Sequence, residues 1–265
     1  MPEVLEVRQR SSRIVLQVVL ALLTVPFLLP LVEMVRGALS GIGFENFVVV
    51  WETGVIPTFF KNSILLSLGV IVLVYAGSMT AAFGFAKLRV FGKEVYFWMM
   101  LVALTLPEVV LLSPLFVTFI ELELYNTLFA VILPLAALQL PFAVLLARNY
   151  VAGVPSDLMD ASRIDGANLV QVFWYVIVPL TKPIASAIAV LTLINSWNSY
   201  LLPLVFLQDR SRQVVTLLPQ FFIGEYTNDQ TKILAAAVMA AIPTVLAYVG
   251  VQKHFERGLS AGALK

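Results

Sequence analysis

Long apolar runs alternate with short polar breaks along the chain. Six runs, 14–32, 63–86, 95–120, 124–146, 184–207 and 233–251, are each long enough to cross the hydrocarbon of a bilayer as a helix. The first lacks a small-residue cleavage site after a short apolar core, so it reads as a retained span rather than a signal peptide. The later half of the second is rich in small residues, with Gly77 and Ala81 at the spacing that lets two helices approach closely. Pro107 and Pro114 break the third, Pro134 and Pro141 lie in the fourth, and the fifth holds the polar cluster Asn195, Ser196, Trp197, Asn198, Ser199. Between the first two spans, 33–61 reads as a loop with Gly37, Gly41 and Gly43, and its Trp51, Phe59 and Phe60 suit an interface position. Segment 209–231 is polar and partly helical.

One stretch departs from this pattern. Segment 151–183 lies between two spans yet carries Asp157, Asp160, Arg163, Asp165 and Lys182, which places it in water. Its chemistry predicts a short helix, a turn and a second helix. Pro155 with Ser156 and Asp157 is a helix start, the hydroxyl capping free N–H groups and the carboxylate suiting the positive end of the dipole. Leu158, Ala161 and Ile164 recur at helical spacing and form an apolar edge. Asp165-Gly166 ends the first helix, since glycine accepts a left-handed backbone at little cost. Asn168 caps the second, whose Val172, Phe173, Val176 and Ile177 form an apolar face until Pro179 and Pro183 stop it. A hairpin projecting from a membrane domain suits docking to a partner in the aqueous phase.

Composition agrees with an all-α integral membrane protein. Of the 265 residues, 60% are hydrophobic and 12% charged, and the mean hydropathy is +0.93. A net charge of +1, with its charges scattered through loops, gives no footprint for nucleic acid. The absence of cysteine excludes disulfides and thiolate metal sites. His254, the one histidine, lies beyond the last span, so neither a Ser-His-Asp triad nor a metalloprotease helix is supported. Gly92-Lys93 is followed by Glu94 and lacks the preceding glycine of a phosphate-binding loop. The chain reads as non-catalytic. Arg36, Lys61, Arg210, Arg212 and Lys232 are the only five of its 17 Lys and Arg residues on one side of the predicted bundle. The positive-inside rule therefore puts both termini and 151–183 in the cytoplasm.

The hairpin carries a resemblance. The EAA loop of permease subunits of ATP-binding-cassette importers has Glu-Ala-Ala, three residues, Gly, nine residues, then Ile-x-Leu-Pro. This chain has Asp160-Ala161-Ser162, three residues, Gly166, nine residues, then Val176-Ile177-Val178-Pro179. Asp for Glu, Ser for Ala, and Val for Ile and for Leu are departures of like charge or size. Asn62-Ser63, Leu106-Pro107-Glu108, Ile164-Asp165-Gly166-Ala167, Ser196-Trp197-Asn198, Gly224-Glu225-Tyr226 and the ending Arg257-Gly258-Leu259-Ser260-Ala261-Gly262-Ala263 resemble the carbohydrate-uptake branch, specifically its maltose-permease-G-like members. The resemblance covers nearly the whole chain. It implies a single transmembrane domain over 1–265 with a cytoplasmic N-terminal segment 1–13, a coupling loop 151–183 and a cytoplasmic tail 252–265, in the inner membrane of a prokaryote. The implied partners are a homologous sister permease, two cytoplasmic ATPase subunits that bind the ATP and magnesium, an extracytoplasmic solute-binding protein, and membrane lipid. Asp157, Asp160, Ala161, Ser162, Arg163, Asp165, Gly166, Ala167 and Pro179 would form the coupling element seated on the ATPase. Arg257, Gly258, Leu259, Ser260, Ala261 and Gly262 would form a thin extended insertion between the ATPase subunits, or simply a frayed terminus.

Polar residues at membrane depth are the candidates for a translocation path. Glu108 lies well inside the third span, where an ionisable group usually faces a cavity or a partner. Glu108, Gln139, Asn195 and Asn198 either bound a sugar path at the sister-permease interface or cap proline-broken helices. Trp197 either stacks on a sugar face or anchors an interface. A secondary transporter is the rival reading; it calls for intramembrane charge pairs and an inverted repeat, whereas this chain shows one buried glutamate and a hairpin that such a transporter does not need.

Overall fold

The computed structural model describes the backbone of residues 10–224 and 229–263 and the side chains of residues 14–224 and 229–250. It divides into two compact units: the chain up to Thr53 with Pro219–Met239, and Gly54–Leu218 with the chain from Ala240 onward.

In the first unit, α1 (Arg10–Ala38) is apolar over most of its length, with Leu22 and Phe27 more than half exposed. Lipid is the solvent such a helix fits, since every backbone group but those at its ends is bonded within the helix. Its last turn is closed from a distance. The amide of Asn46, on α2 (Glu45–Glu52), donates to the carbonyls of Ala38 at 2.9 Å and Ser40 at 2.8 Å and accepts from the Thr231 hydroxyl at 3.3 Å. Thr231 lies in the first turn of α12 (Gln230–Ala263), which Asp229 caps by accepting from the Lys232 N–H at 3.2 Å. Its carboxyl is held below the usual range by bonds from the Lys232 ammonium and the Thr231 hydroxyl. Segment 33–61 is therefore not a loop. The glycine-rich reversal is confined to Ser40–Phe44, where Gly41 and Gly43 have φ of 72° and 68°, and helices resume on both sides.

In the second unit, α3 (Ile56–Lys87) begins at Ile56 rather than Ser63. Pro57 occupies its first turn, where a missing N–H costs nothing, and Lys61 simply points outward. Phe59 is wholly buried instead of lying at an interface. α3 pairs along its length with α6 (Phe129–Ala152), and α10 (Lys182–Trp197) packs on both. Small residues set the approach. A Cβ on Gly77 would meet the Leu140 side chain at 2.8 Å, as the sequence spacing predicts, and one on Gly69 would meet three atoms of Ile132 between 2.9 and 3.4 Å. The core between these helices is built from Leu66, Val70 and Val74, from Val131, Leu135 and Ala147, and from Ile184 and Ile188.

Among the described residues four helices are long and apolar enough to span a bilayer, or six if each of two bent pairs counts as one span. The first pair is α4 (Lys93–Val102), running on as a 3-10 turn to Thr105, with α5 (Glu108–Glu121), bent by 99°. Pro107 has no N–H and drives Leu106 into extended backbone, which separates the two. Pro114, Pro134 and Pro141, by contrast, sit inside continuous helices. The expected span 184–207 is interrupted. α10 stops at Trp197, Asn198–Tyr200 is non-helical, and α11 (Leu201–Phe206) starts with Pro203 near its N-terminus.

The connection after α11 is pinned by side-chain amides. Asn62 donates to the carbonyls of Ser211 at 2.9 Å and Gln213 at 2.8 Å, and the Ser63 hydroxyl accepts from the Val215 N–H. Asn126, in a left-handed conformation at φ 58°, accepts from the N–H groups of Gln208 and Asp209, both at 3.0 Å. A serine N–H and hydroxyl on the Asp209 carboxylate, Ser211's own, hold that carboxyl below the usual range. Replacing Gly69 by Leu should force α3 and α6 apart and cost about 1–3 kcal/mol. Gly77→Ala, which meets only the tip of a flexible leucine, should be much milder, and thermal unfolding of the two purified variants in detergent separates these outcomes.

Candidate coupling hairpin and solute path

The polar segment folds as the sequence chemistry predicts, with one exception. α7 (Ser156–Ile164) is entered through extended Pro155, and the Ser156 hydroxyl makes no cap. Asp157 in the first turn supplies charge to the helix N-terminus. At the other end the N–H of Ala167 donates to Ser162 O and that of Gly166 to Arg163 O, each at 3.0 Å, with Gly166 at φ 86°. This is the double-bonded glycine stop in which left-handed backbone returns two amides to the last helical turn. Asn168 then opens α8 (Leu169–Val172). Its side chain accepts from Gln171 N–H at 2.9 Å while Gln171 Oε1 accepts from Asn168 N–H at 2.8 Å, a reciprocal cap of which the sequence reading found only half.

The chain then widens into a π turn, Phe173–Ile177, in which Val178 N–H reaches Phe173 O, and continues as α9 (Val178–Leu180). Pro179 explains the wide turn: it offers no N–H, and its ring would strike the carbonyl one turn back in a regular helix. Thr181, fully buried, follows with its hydroxyl donating to Ile177 O at 2.9 Å, and the axis bends by 76° into α10.

One side of the hairpin is buried and the other is bare. Met159, Val172, Phe173 and Ile177 lie in the core, with Val176 and Ala167 against it. The edge of Leu158, Ala161 and Ile164 is open, Ile164 being 87% exposed, and Asp157, Asp160, Arg163, Asp165 and Pro179 are exposed around it. Ser162 is half-buried and bonds its hydroxyl back to Met159 O. At the hairpin's root, Lys87 Nζ donates to the carbonyls of Ala152 and Val154 at the end of α6, countering the negative end of that helix. Beside it Arg148 grips both carboxylate oxygens of Glu94, at 2.6 and 2.8 Å, and lies 3.9 Å above the Phe97 ring. In the sequence, the signal of these contacts is the clustering of Lys87, Lys93 and Glu94 at the end of one span.

The five path candidates do not converge. Gln139 on α6 and Asn195 on α10 line one cavity of about 220 Å³ together with Thr192, Phe142 and Leu191. Both polar atoms of the Gln139 amide are buried without a partner among the described residues. Glu108 opens α5, half-buried, with Oε1 unpartnered among the described residues and the Leu202 N–H directed at the carboxyl. Trp197 and Asn198 face α12 instead. The Trp197 indole is buried, donates to Ala240 O at 3.2 Å and meets Phe60 edge-on at 6.0 Å, while Asn198 accepts from the Thr244 hydroxyl. The Trp197 indole is thus engaged with Phe60 and α12. The backbone of Arg257–Gly262 is the continuation of α12, not an extended strand, because no proline follows Pro243 in the helix and Gly258 and Gly262 cost it only about 1 kcal/mol each. The side chains of that tail, and Glu225 and Tyr226, lie outside the described residues.

An all-α, multi-pass membrane protein with a hairpin exposed along one side, and a cavity between two apolar helices into which Gln139, Thr192 and Asn195 bring polar groups, has the build of a permease. The family of binding-protein-dependent transport system inner membrane components matches residues 73–261, and the chain belongs to it. It is 35% identical to the arabinooligosaccharides transport system permease protein AraQ of Halalkalibacterium halodurans over 85% of this chain and 81% of the relative. It is 30% identical to the melibiose/raffinose/stachyose import permease protein MelC of Bacillus subtilis over 85% and 82%. Among solved structures it resembles a chain of the bacterial alginate ABC transporter in complex with a pentasaccharide-bound periplasmic protein, with a TM-score of 0.73 at 16% identity, covering 93% of this chain and 96% of that one. The chain is thus the membrane component of an ABC importer, a non-catalytic subunit. Asn168→Ala should remove the reciprocal cap and cost about 1 kcal/mol, read as faster amide exchange in 168–172 with the rest of the chain unchanged.

Proposed function

We propose that this permease imports a di- or oligosaccharide, or a related glycoside or polyol, as half of a heterodimer with a homologous sister permease. Two cytoplasmic ATPase subunits hold the ATP and magnesium, an extracytoplasmic binding protein delivers the solute, and both termini face the cytoplasm. The observation that carries this is the bare edge of Leu158, Ala161 and Ile164 on a hairpin whose turn is closed by a glycine stop and a reciprocal Asn168–Gln171 cap. A rigid element with an unpartnered apolar edge is built to be seated in another protein, and closure of an ATPase dimer beneath it would rock the attached helices. The names of the relatives supply the solute class: arabinooligosaccharides, melibiose, raffinose and stachyose are what their permeases are said to move.

On this reading the 220 Å³ cavity contributes to the path, because the unpartnered Gln139 amide offers donors and an acceptor to a hydroxylated solute. Glu108 and Asn198 stand apart from it and remain path candidates only through the sister subunit.

Ile164→Glu should lower solute-driven ATP hydrolysis and uptake by about tenfold or more, the loss of one buried interface anchor. Cysteine at Ala161 should cross-link to the ATPase in inside-out vesicles; a reagent that reaches it only from the outer face would reverse the proposed orientation. Gln139→Leu should leave the unfolding temperature unchanged or raise it, since an unpartnered buried amide is removed, while uptake falls several-fold. Unchanged uptake would make Gln139 a packing residue.

A further inference from the structure

The turn joining α3 to α4 has a surface that the transport reading does not use. Lys87-Leu88-Arg89-Val90-Phe91-Gly92-Lys93 reverses the chain with Gly92 at φ 70°, Lys93 N–H bonded to Val90 O, Tyr96 N–H to Gly92 O and the Lys93 ammonium to Leu88 O at 3.1 Å. The tip is therefore built, not slack. It nevertheless presents Phe91 fully exposed and Val90 half exposed, and the adjoining face of α4 adds Val95, Tyr96, Trp98 and Met99, each more than 60% exposed.

Three observations say what covers it. First, α3 is an apolar helix of 32 residues, about 48 Å at 1.5 Å per residue. Its last turn therefore lies near the level of the headgroups rather than in mid-bilayer. Second, Tyr and Trp beside aliphatic residues, exposed at the end of a span, are the side chains that settle where hydrocarbon meets headgroup. Third, the charge is one-sided. Lys87 and Lys93 are committed to backbone carbonyls and Glu94 is held by Arg148, which leaves the exposed Arg89 as a cation without a partner among the described residues, beside Phe91. A protein groove would have to bury an aromatic and an uncompensated guanidinium together; an anionic lipid surface takes the ring into its acyl boundary and the guanidinium on its phosphates.

We propose that this turn is an interfacial anchor, with Phe91 and Val90 inserted below the headgroups of an anionic leaflet and Arg89 bound to lipid phosphate. It fixes the depth of the α3 end, and so of the Lys87 contact at the hairpin's root. The chain contains no cysteine, so Phe91→Cys takes a single spin label in the full complex once accessible cysteines of its partners are replaced. In vesicles of phosphatidylcholine with phosphatidylglycerol the label should be relaxed several-fold more by oxygen than by a water-soluble nickel chelate. It should lie deeper than in phosphatidylcholine alone, and Arg89→Gln should abolish that difference. Greater relaxation by the nickel chelate overturns the proposal by placing the tip in water. Shielding from both reagents overturns it by placing the tip under a protein. Equal depth in both vesicle types, or a difference that survives Arg89→Gln, overturns the role of lipid phosphate.

Discussion

Peptide groups that leave a helix inside hydrocarbon must find partners within the protein, because no water is there to take them. Much of what is particular to this chain sits where that constraint is met. Extended Leu106 and Pro107 separate two helices at a residue that has no N–H to satisfy. The break at Asn198–Tyr200 is flanked by hydroxyls that bond backward: Ser196 to Thr192 O at 2.7 Å, and Thr216 to Ser199 O at 2.7 Å. At the end of the hairpin the π turn and Thr181 accommodate what Pro179 removes. Each interruption is placed where a proline or a hydroxyl makes it affordable.

Outside the apolar helices, order comes from caps and side-chain bonds to the backbone. A hairpin whose helices end in a glycine stop and a reciprocal Asn–Gln cap keeps its shape without help from a partner. Its exposed edge is then free to be a contact surface, since none of those residues is needed to hold the hairpin together. The connection after α11 is ordered by a different device, with Asn62, Ser63 and Asn126 reaching from helices and a turn to bond its backbone directly.

What the sequence made legible follows from how local each cause is. Gly166, Asn168 and the Val172–Ile177 face could be read because caps and periodicity act within a few residues. Gly77 could be read for its spacing, yet Gly69 was missed because only the partner residue Ile132 reveals that the contact there is tight. The start of α3 was misplaced by seven residues because Lys61 looked like a boundary, and one outward-pointing charge does not end a helix. The split of the path candidates was invisible for the same reason. Gln139 and Asn195 share a cavity, while Trp197 and Asn198, two and three residues beyond Asn195, turn toward α12.

The corner at Thr181 has a mechanical meaning. Its hydroxyl is tied to the carbonyls of Ile177 and Val178, and its side chain is wholly enclosed. Such an elbow resists folding and unfolding about itself, so α9 and α10 would swing as one crank. Compliance would then have to come from farther along, at the non-helical Asn198–Tyr200, which lies just past the end of the arm that carries Asn195.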